Sequence, residues 1–282
     1  MKYVLQSLLI LCMLLVNLSS ASQCDPLSSQ HPFVPGEKLT FTLKWGKIPA
    51  GEAVLEVLPI ESLDGEPVYH FVMTARTNSF VDVFYKVRDR IDGYASLDMT
   101  RSVLYKTKQH EGNHKRDIVV TFDWETQQAQ YTDRGKTRDP ITIAEGSFDP
   151  LSALYYTRLA DIRLNEDITR PVTDGRKNTI GVVKVLKRET LEVSDVIYDT
   201  FLVEPDTKDL GGVFKKSDDA KIHLWLTADE HRIPVKIKSK VAVGSFVGEL
   251  VDKTGLRLLV TQTEEPCVPL AGMALCPERA AE

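Results

Sequence analysis

The sequence predicts a mainly β protein: a single strongly curved antiparallel sheet, or open half-barrel, with one main covering helix at about 149–165 and a short helical turn at about 78–87. Three observations predict this fold. Apolar and polar residues alternate with a period of two along many short segments. Short polar turns separate these segments, which favours antiparallel neighbours. One longer segment, after Asp149, has helical periodicity instead.

The first predicted strand shows the alternation most clearly. Between residues 37 and 45, Leu39, Phe41, Leu43 and Trp45 lie on one face and polar residues on the other. The same pattern, or a run of β-branched and aromatic residues, predicts strands at 53–57, 68–77, 88–96, 102–109, 117–123, 128–132, 178–187, 190–204, 220–227, 232–240, 243–251 and 255–262.

Two segments interrupt the β pattern. Asn78 to Val87 places its apolar residues at helical spacing, which predicts the short helical turn. The main helix begins at Asp149–Pro150, a capping acid followed by proline at the first helical position. Its apolar stripe comprises Leu151, Leu154, Tyr155, Leu159 and Ile162. We expect this helix to cover one face or the mouth of the sheet.

Residues 23–282 are predicted to form a single β-rich domain that ends in a cysteine-containing tail at about 263–282. No repeat of fixed period and no low-complexity linker divides this part of the sequence. A sheet of so many strands must curl to bury one of its faces.

Residues 1–22 are predicted to be a secretory signal peptide, which implies a periplasmic protein. The apolar run is about 15 residues, shorter than the roughly 20 needed to span a bilayer, and small residues follow it. No later stretch is long and apolar enough, so no transmembrane segment is expected after cleavage. Cys24 raises the alternative of an outer-membrane lipoprotein, but Gln23 is not the small residue that such a signal carries before its cysteine.

The net charge limits the class of partner, and the cysteines indicate which disulfides can form. A net charge of −5 argues against a nucleic-acid partner. Export would permit disulfides. A Cys267–Cys276 bridge is favoured and would contribute about 3 kcal/mol by closing a short loop. A bridge from Cys24 to either of them is the alternative.

His110, Glu111 and His114 match the His-Glu-x-x-His pattern of zinc metallohydrolases. That chemistry needs a helix, because two histidines four residues apart then face the same way. Here the flanking segments are predicted strands, and Gly112–Asn113 favours a hairpin turn between them. We therefore expect a solvated hairpin tip, with zinc hydrolysis as a remote alternative. No other catalytic signature is found, and no cofactor or metal is expected.

Three motifs resemble those of the exported bacterial family named domain of unknown function 3108 (DUF3108). They are Pro32-Phe-Val-Pro-Gly-Glu-Lys-Leu-Thr-Phe41, Asp149-Pro-Leu-Ser-Ala-Leu154, and the pair Leu224-Trp-Leu-Thr-Ala-Asp229 and Arg232-Ile-Pro-Val-Lys-Ile237. A more remote resemblance is to the periplasmic lipoprotein carriers of the LolA and LolB type. This second resemblance implies a half-open barrel that holds acyl chains under covering helices.

The sequence supports two functional hypotheses besides the zinc hydrolase. The first is a non-catalytic protein of the periplasm or cell envelope that binds a lipid, a lipid-linked molecule or another hydrophobic ligand in its curved sheet. Its candidate apolar lining comprises Phe41, Leu43, Trp45, Tyr69, Phe71, Leu154 and Tyr155. The second is an envelope structural or assembly factor that contacts a protein partner through a strand edge or the turn containing Phe80, Val83 and Phe84. The aromatic strand faces could equally fill a closed core.

Overall fold

The computed structural model describes residues 31–206, 221–241 and 244–257. Within these residues, fifteen strands form one sheet and two helices accompany it. The strands are β1 (Lys38–Trp45), β2 (Ile48–Leu63), β3 (Glu66–Thr77), β4 (Arg88–Ser96), β5 (Ser102–Glu111), β6 (His114–Asp123), β7 (Gln128–Asp133), β8 (Lys136–Thr137), β9 (Ile141–Thr142), β10 (Asp167–Thr173), β11 (Asn178–Val193), β12 (Val196–Pro205), β13 (Lys221–Thr227), β14 (Pro234–Val241) and β15 (Gly244–Thr254). The helices are α1 (Ser79–Asp82) and α2 (Pro150–Leu159).

The sheet consists of two antiparallel meanders joined along one ladder. Strands β1 to β8 follow one another in space, as do β10 to β15, and β9 pairs with β7. The last strand, β15, pairs with the first, β1, from Lys38 opposite Thr254 to Trp45 opposite Phe246. All pairs within each meander are antiparallel, and most of the connections are too short for a crossover. The predicted mainly β, antiparallel fold is confirmed.

The sheet curls until its two free edges approach each other. In the turn between β10 and β11, a Cβ on Gly175 would lie only 2.7 Å from the Val120 side chain of β6. Phe148, just before α2, bonds to β10: its N–H donates to the Pro171 carbonyl and its carbonyl accepts from the Thr173 N–H. Among the described residues, no ladder joins β10 to β7, β8 or β9, so the sheet remains an open half-barrel.

Helix α2 crosses the concave side of this half-barrel and packs against β3, β4 and β10. The main hydrophobic core lies between α2 and strands β1 to β4. Two smaller clusters surround it, one on β5 to β7 and one on β11 to β13. The helix therefore covers the sheet as predicted, and it lies inside the concavity.

The strand ends form two rims, which are used as reference points below. The α1 rim carries the β1–β2 turn, α1 and the β5–β6 turn. The Glu37 rim, at the other end, carries the start of β1, the β11–β12 turn and the β13–β14 turn.

Both predicted helices are shorter than expected. Helix α1 covers only Ser79–Asp82 of the predicted 78–87. Helix α2 starts as predicted, with Asp149 as its capping residue, but it ends at Leu159 rather than 165 because Ala160 is extended. Ile162 is still buried, since the chain after the helix packs it against Val185, Val203 and Leu224.

Several strand boundaries also differ from the prediction. Strand β10 was not predicted, and β11 and β12 meet at a turn at Ser194–Asp195 rather than near residue 188. Both turn residues have positive φ, 51° and 64°, the backbone that a two-residue hairpin requires. Strand β2 runs from Ile48 to Leu63 and is longer at both ends than the strand predicted at 53–57. Residues 255–257 are not in a strand, and the rest of the strand predicted at 255–262 lies outside the described residues.

Candidate functional site

A cavity of about 400 Å³ lies between α2 and the strands β10 to β13. Its wall is mainly aliphatic. The lining residues are Pro150, Ala153, Leu154, Thr157, Val172, Asp174, Lys177, Thr179, Ile180, Gly181, Val182, Val183, Val203, Pro205, Asp206, Ile222 and Leu224.

Helix α2 divides the concave space because its two sides meet different parts of the sheet. Pro150, Ala153, Leu154 and Thr157 follow the i, i+3, i+4, i+7 spacing of a single helical stripe, and this stripe lines the cavity. Tyr155, on another side of the helix, packs into the main core. The helix is therefore a wall shared by a filled core and an open cavity.

Asp149 holds the N-terminus of α2 at the sheet. Its side chain is fully buried and accepts hydrogen bonds from the N–H groups of Leu151 and Ser152, both at 2.9 Å. It also accepts from the hydroxyls of Ser152 at 2.5 Å and of Ser102 on β5 at 2.6 Å. Burial raises the pKa of the Asp149 carboxyl, and the hydrogen bonds from Ser102 and Ser152 oppose that rise.

Gly93 on β4 makes room for this capping group. A Cβ at this position would lie 2.9 Å from Oδ1 of Asp149 and 3.0 Å from the Ser152 hydroxyl. A glycine here lets the helix start approach the strand backbone closely. The position of the cavity wall thus depends on a packed contact between α2 and β4.

Arg158 holds the other end of α2. Its guanidinium donates to both carboxylate oxygens of Glu37, at 2.6 and 2.9 Å, and to the carbonyl of His231 at 3.0 Å. Arg158 and Glu37 are each only 1 % exposed. The pair connects the helix to the start of β1 and to the β13–β14 turn, so both ends of the cavity wall are anchored.

The charged lining residues of the cavity lie at one end. Asp174 and Lys177 belong to the β10–β11 turn, and Asp206 follows the end of β12. The aliphatic lining residues, in contrast, come from α2 and from within strands β10 to β13. The cavity is therefore polar at one end and apolar along its length.

The candidate lining residues predicted from the sequence occupy three different environments. Leu154 lines the cavity. Phe41, Tyr69, Phe71 and Tyr155 lie in the main core, each at most 1 % exposed.

The remaining two, Leu43 and Trp45, lie toward the α1 rim: Leu43 is half-buried and Trp45 is 48 % exposed.

Aromatic contacts fill the main core. The rings of Phe71 and Tyr155 stack at 3.9 Å between centroids. Phe33 meets Tyr69, Phe71 and Tyr155 edge-on at 5.2 to 5.4 Å. These arrangements are favourable packing geometries for aromatic side chains. The aromatic strand faces near α2 thus form a closed core, and the cavity lies on the other side of the helix.

Sequence reasoning missed most of the cavity wall because it chose the aromatic faces of the early strands, and it also missed β10, which contributes Val172. Ile168, Arg170 and Val172 alternate with Thr169 and Pro171, which is a usable period-two signal. Proline is compatible with the sheet here because β10 is an edge strand of the described sheet.

The His-Glu-x-x-His match lies on a hairpin, as predicted. Glu111 pairs with His114 across the β5–β6 ladder, and Gly112 in the turn has a φ of +57°. His114 accepts a hydrogen bond from Arg116, and the backbone N–H of His110 donates to Asp89. Within residues 31–206, 221–241 and 244–257, no group of three or more His, Cys, Asp or Glu side chains is arranged to hold a metal ion.

Three sequence predictions fall on residues outside the described part of the chain. These are the signal peptide at residues 1–22, the tail at 263–282 and the pairing of Cys24, Cys267 and Cys276. None of the helices in the described part is long and apolar enough to span a membrane.

The fold has a counterpart among solved structures. A β-barrel-like protein from Brucella abortus, of the domain of unknown function DUF1849, matches 79 % of this chain and 98 % of its own at 11 % identity, with a TM-score of 0.52. At that identity the likeness concerns the fold alone. A hypothetical protein from Chlamydia trachomatis matches 81 % of this chain and 90 % of its own at 8 % identity, with a TM-score of 0.33.

No curated protein matches the sequence. A family model does: the one described as "Protein of unknown function (DUF3108)" matches residues 40–251, which include every strand from β2 to β14 and both helices. The sequence motifs, the open antiparallel sheet and this match agree, and the chain belongs to the DUF3108 family.

Proposed function

We propose that this protein binds a lipid or another hydrophobic ligand in the cavity beside α2, without catalysing a reaction on it. The observation that carries the proposal is the cavity of about 400 Å³ with its mainly aliphatic wall. This volume falls within the roughly 300–1,000 Å³ that small-molecule sites occupy.

An apolar cavity of this size favours an apolar occupant. Water gains too few hydrogen bonds from an aliphatic wall to be held there, and such cavities take up hydrocarbon guests. Transfer of a hydrocarbon chain from water contributes about 0.8 kcal/mol for each buried CH₂ group. A linear acyl chain along the α2 stripe of Ala153, Leu154 and Thr157 would use this gain.

The charged lining residues of the cavity would orient such a ligand. Asp174, Lys177 and Asp206 line the cavity where a polar head group could meet side-chain charge. The proposed pose therefore has the apolar part of the ligand against α2 and its polar part beside these three residues. A few polar groups beside a mainly apolar wall are typical of sites that fix a ligand's orientation.

The proposed location is the periplasm, in the soluble phase of the cell envelope. Its support is the signal-peptide pattern of residues 1–22, with Gln23 arguing against acylation of Cys24. A protein in this compartment could carry or shield a lipid or lipid-linked molecule between membranes.

The proposal is tested by titrating the protein with a fluorescent fatty acid and measuring the binding. We expect saturable binding by the wild-type protein and binding weaker by roughly tenfold or more in Val183→Phe, because Val183 lies on the same face of β11 as the buried Val185 and a phenyl ring there would occupy part of the cavity. Val196→Phe, the same substitution at a position 47 % exposed on the Glu37 rim, is the matched control and should bind as the wild type does.

Ala153→Leu provides a second cavity-filling variant from the helix side, since leucine is compatible with a helix. Circular dichroism confirms that each variant is folded. Absence of fatty-acid binding by the wild type, together with no organic molecule in mass spectra of extracts from natively purified protein, would overturn the proposal. Equal binding by the wild type, the two cavity-filling variants and the control would show that the fatty acid does not bind in this cavity.

A further inference from the structure

Exposed apolar side chains are concentrated at the α1 rim. We name the following set the apolar rim: Trp45, Ile48, Phe80, Val83, Phe84, Tyr85 and Phe246. Each is between 41 % and 77 % exposed. Contiguous exposed apolar surface on a soluble protein marks a contact site.

The members of the apolar rim lie next to one another although they come from three parts of the chain. The rings of Trp45 and Phe246 stack across the β1–β15 ladder, with 6.3 Å between centroids. Trp45 and Ile48 are directly opposite each other across β1 and β2. Phe80 and Phe84 meet edge-on at 5.9 Å.

Asn78 attaches α1 to the β1–β2 hairpin. Its amide donates to the Pro49 carbonyl at 2.7 Å, and its backbone N–H donates to the Ala50 carbonyl at 2.9 Å. The same side chain caps α1 by accepting from the Val81 N–H. The two apolar groups are therefore held side by side by backbone contacts, while their side chains remain in solvent.

Two exposed lysines border the apolar rim. Lys47 lies between Trp45 and Ile48, and Lys86 is next to Tyr85. The acid within α1, Asp82, forms an ion pair with Arg88 at 2.5 Å. Two further acids, Glu111 and Asp89, lie near Tyr85 at one edge of the rim.

We propose that the apolar rim docks on the surface of a lipid bilayer that contains anionic lipids. Tryptophan and tyrosine favour the head-group region, and phenylalanine and aliphatic side chains at turn tips can enter the acyl boundary. Lysines beside them are attracted to anionic head groups. Docking does not require the cavity to bind anything.

Vesicle flotation tests this docking. Proteins are recovered from the periplasmic fraction, and mass spectrometry verifies that wild type and variants share the same N-terminus. The vesicles are phosphatidylcholine alone or an equal mixture of phosphatidylcholine and phosphatidylglycerol. We expect the wild type to float with the mixed vesicles and to bind less at high salt, because the lysine contribution is screened.

The Phe80→Ser/Phe84→Ser variant should lose roughly tenfold or more of this binding, because two aromatic side chains no longer enter the interface. Lys47→Glu/Lys86→Glu should lose the preference for anionic vesicles. The matched control is Val196→Ser/Ile197→Ser, which removes two exposed apolar side chains from the Glu37 rim and should float as the wild type does.

Any of three results would overturn the proposal. The first two are a wild type that does not float and an apolar-rim variant that floats as well as the control. The third is a wild type that forms dimers in solution, separates into monomers in Phe80→Ser/Phe84→Ser and ignores vesicles, which would assign the surface to a second copy of the chain. Fatty-acid binding measured on the same variants should be unchanged, so docking and cavity binding can fail separately.

Discussion

At the scale of single residues, the buried pair of Arg158 and Glu37 is the feature with the largest energetic consequence. Two opposite charges lose their hydration when buried, and their mutual hydrogen bonds, with that from Arg158 to the His231 carbonyl, compensate for it. Arg158 also lies over the rings of Phe33 and Tyr155, 5.4 and 5.3 Å from their centroids. Its aromatic surroundings make the guanidinium part of the core rather than a surface charge.

Removing one partner of this pair should destabilise the fold strongly. We expect Arg158→Met to lower the free energy of unfolding by about 3–5 kcal/mol, because Glu37 is left buried and unpaired. Arg158→Met/Glu37→Leu should recover a large part of that loss, since no charge is then buried. Urea unfolding measures both.

Arg188→Met is the matched control for this prediction. Arg188 pairs with Asp199, but both side chains are about half exposed, and exposed pairs contribute less than about 1 kcal/mol. If Arg158→Met and Arg188→Met were equally stable, the buried pair would not have the role assigned to it here.

At the scale of elements, Glu249 connects three strands. On β15, it accepts from Lys236 of β14 at 2.8 Å and from Lys44 of β1 at 2.6 Å. These hydrogen bonds, that from Lys236 foremost, lower the pKa of the Glu249 carboxyl below its ordinary value. The interaction lies at the ladder between β1 and β15, where the two meanders join.

The hydrogen bonds of Glu249 with Lys236 and Lys44 should make the stability of the fold depend on pH. Because the folded-state pKa of Glu249 is lowered, its ionised form stabilises the fold above its ordinary pKa of about 4.3. That contribution is lost as the pH falls through the lowered folded-state value. We expect Glu249→Gln to be less stable than the wild type by roughly 1 kcal/mol at pH 7, with the difference shrinking in acid.

Urea unfolding near neutral pH and near pH 3 checks this expectation. Glu192→Gln, at an exposed position of β11, is the control and should stay within about 0.5 kcal/mol of the wild type at both values. A Glu249→Gln difference that stays constant or grows in acid would contradict the assignment.

At the scale of the whole molecule, the open sheet combines a strongly packed part with weakly held edges. Strands β1 to β4 share the aromatic core with α2. Strand β8 has only two residues, both exposed, and pairs on one side with β7. Local opening should follow this difference in burial.

Amide hydrogen exchange in the intact chain should therefore be graded across the sheet. We expect residues 69–72 of β3 to exchange slowest and Lys136–Thr137 of β8 to exchange faster by roughly a hundredfold or more. Mass spectrometry of exchanged peptides measures both. Equal protection of β8 and β3 would indicate that a further contact covers β8, which would contradict the description of this edge as open.

Local chemistry made part of this structure readable from the sequence. The alternation of Leu39 and Phe41 with polar residues is enough to place a half-buried strand, because side chains in a strand alternate between its two faces. Asp149–Pro150 is enough to place the start of a helix. The aspartate side chain accepts hydrogen bonds from the first N–H groups of the helix, and proline has no N–H that needs a partner. Gly112–Asn113 is enough to make the His-Glu-x-x-His match a hairpin.

Tertiary structure alone decided what each of those faces meets. The periodicity of β1 cannot show that Phe41 enters a closed core, and that of β11 cannot show that Val183 lines a cavity, because both patterns only mark one face as apolar. The difference arises from the β1–β15 ladder, which brings the two meanders together, and from α2, which packs on β3, β4 and β10 and leaves space beside β11 to β13. Those contacts join residues far apart in sequence, and local propensity has no information about them.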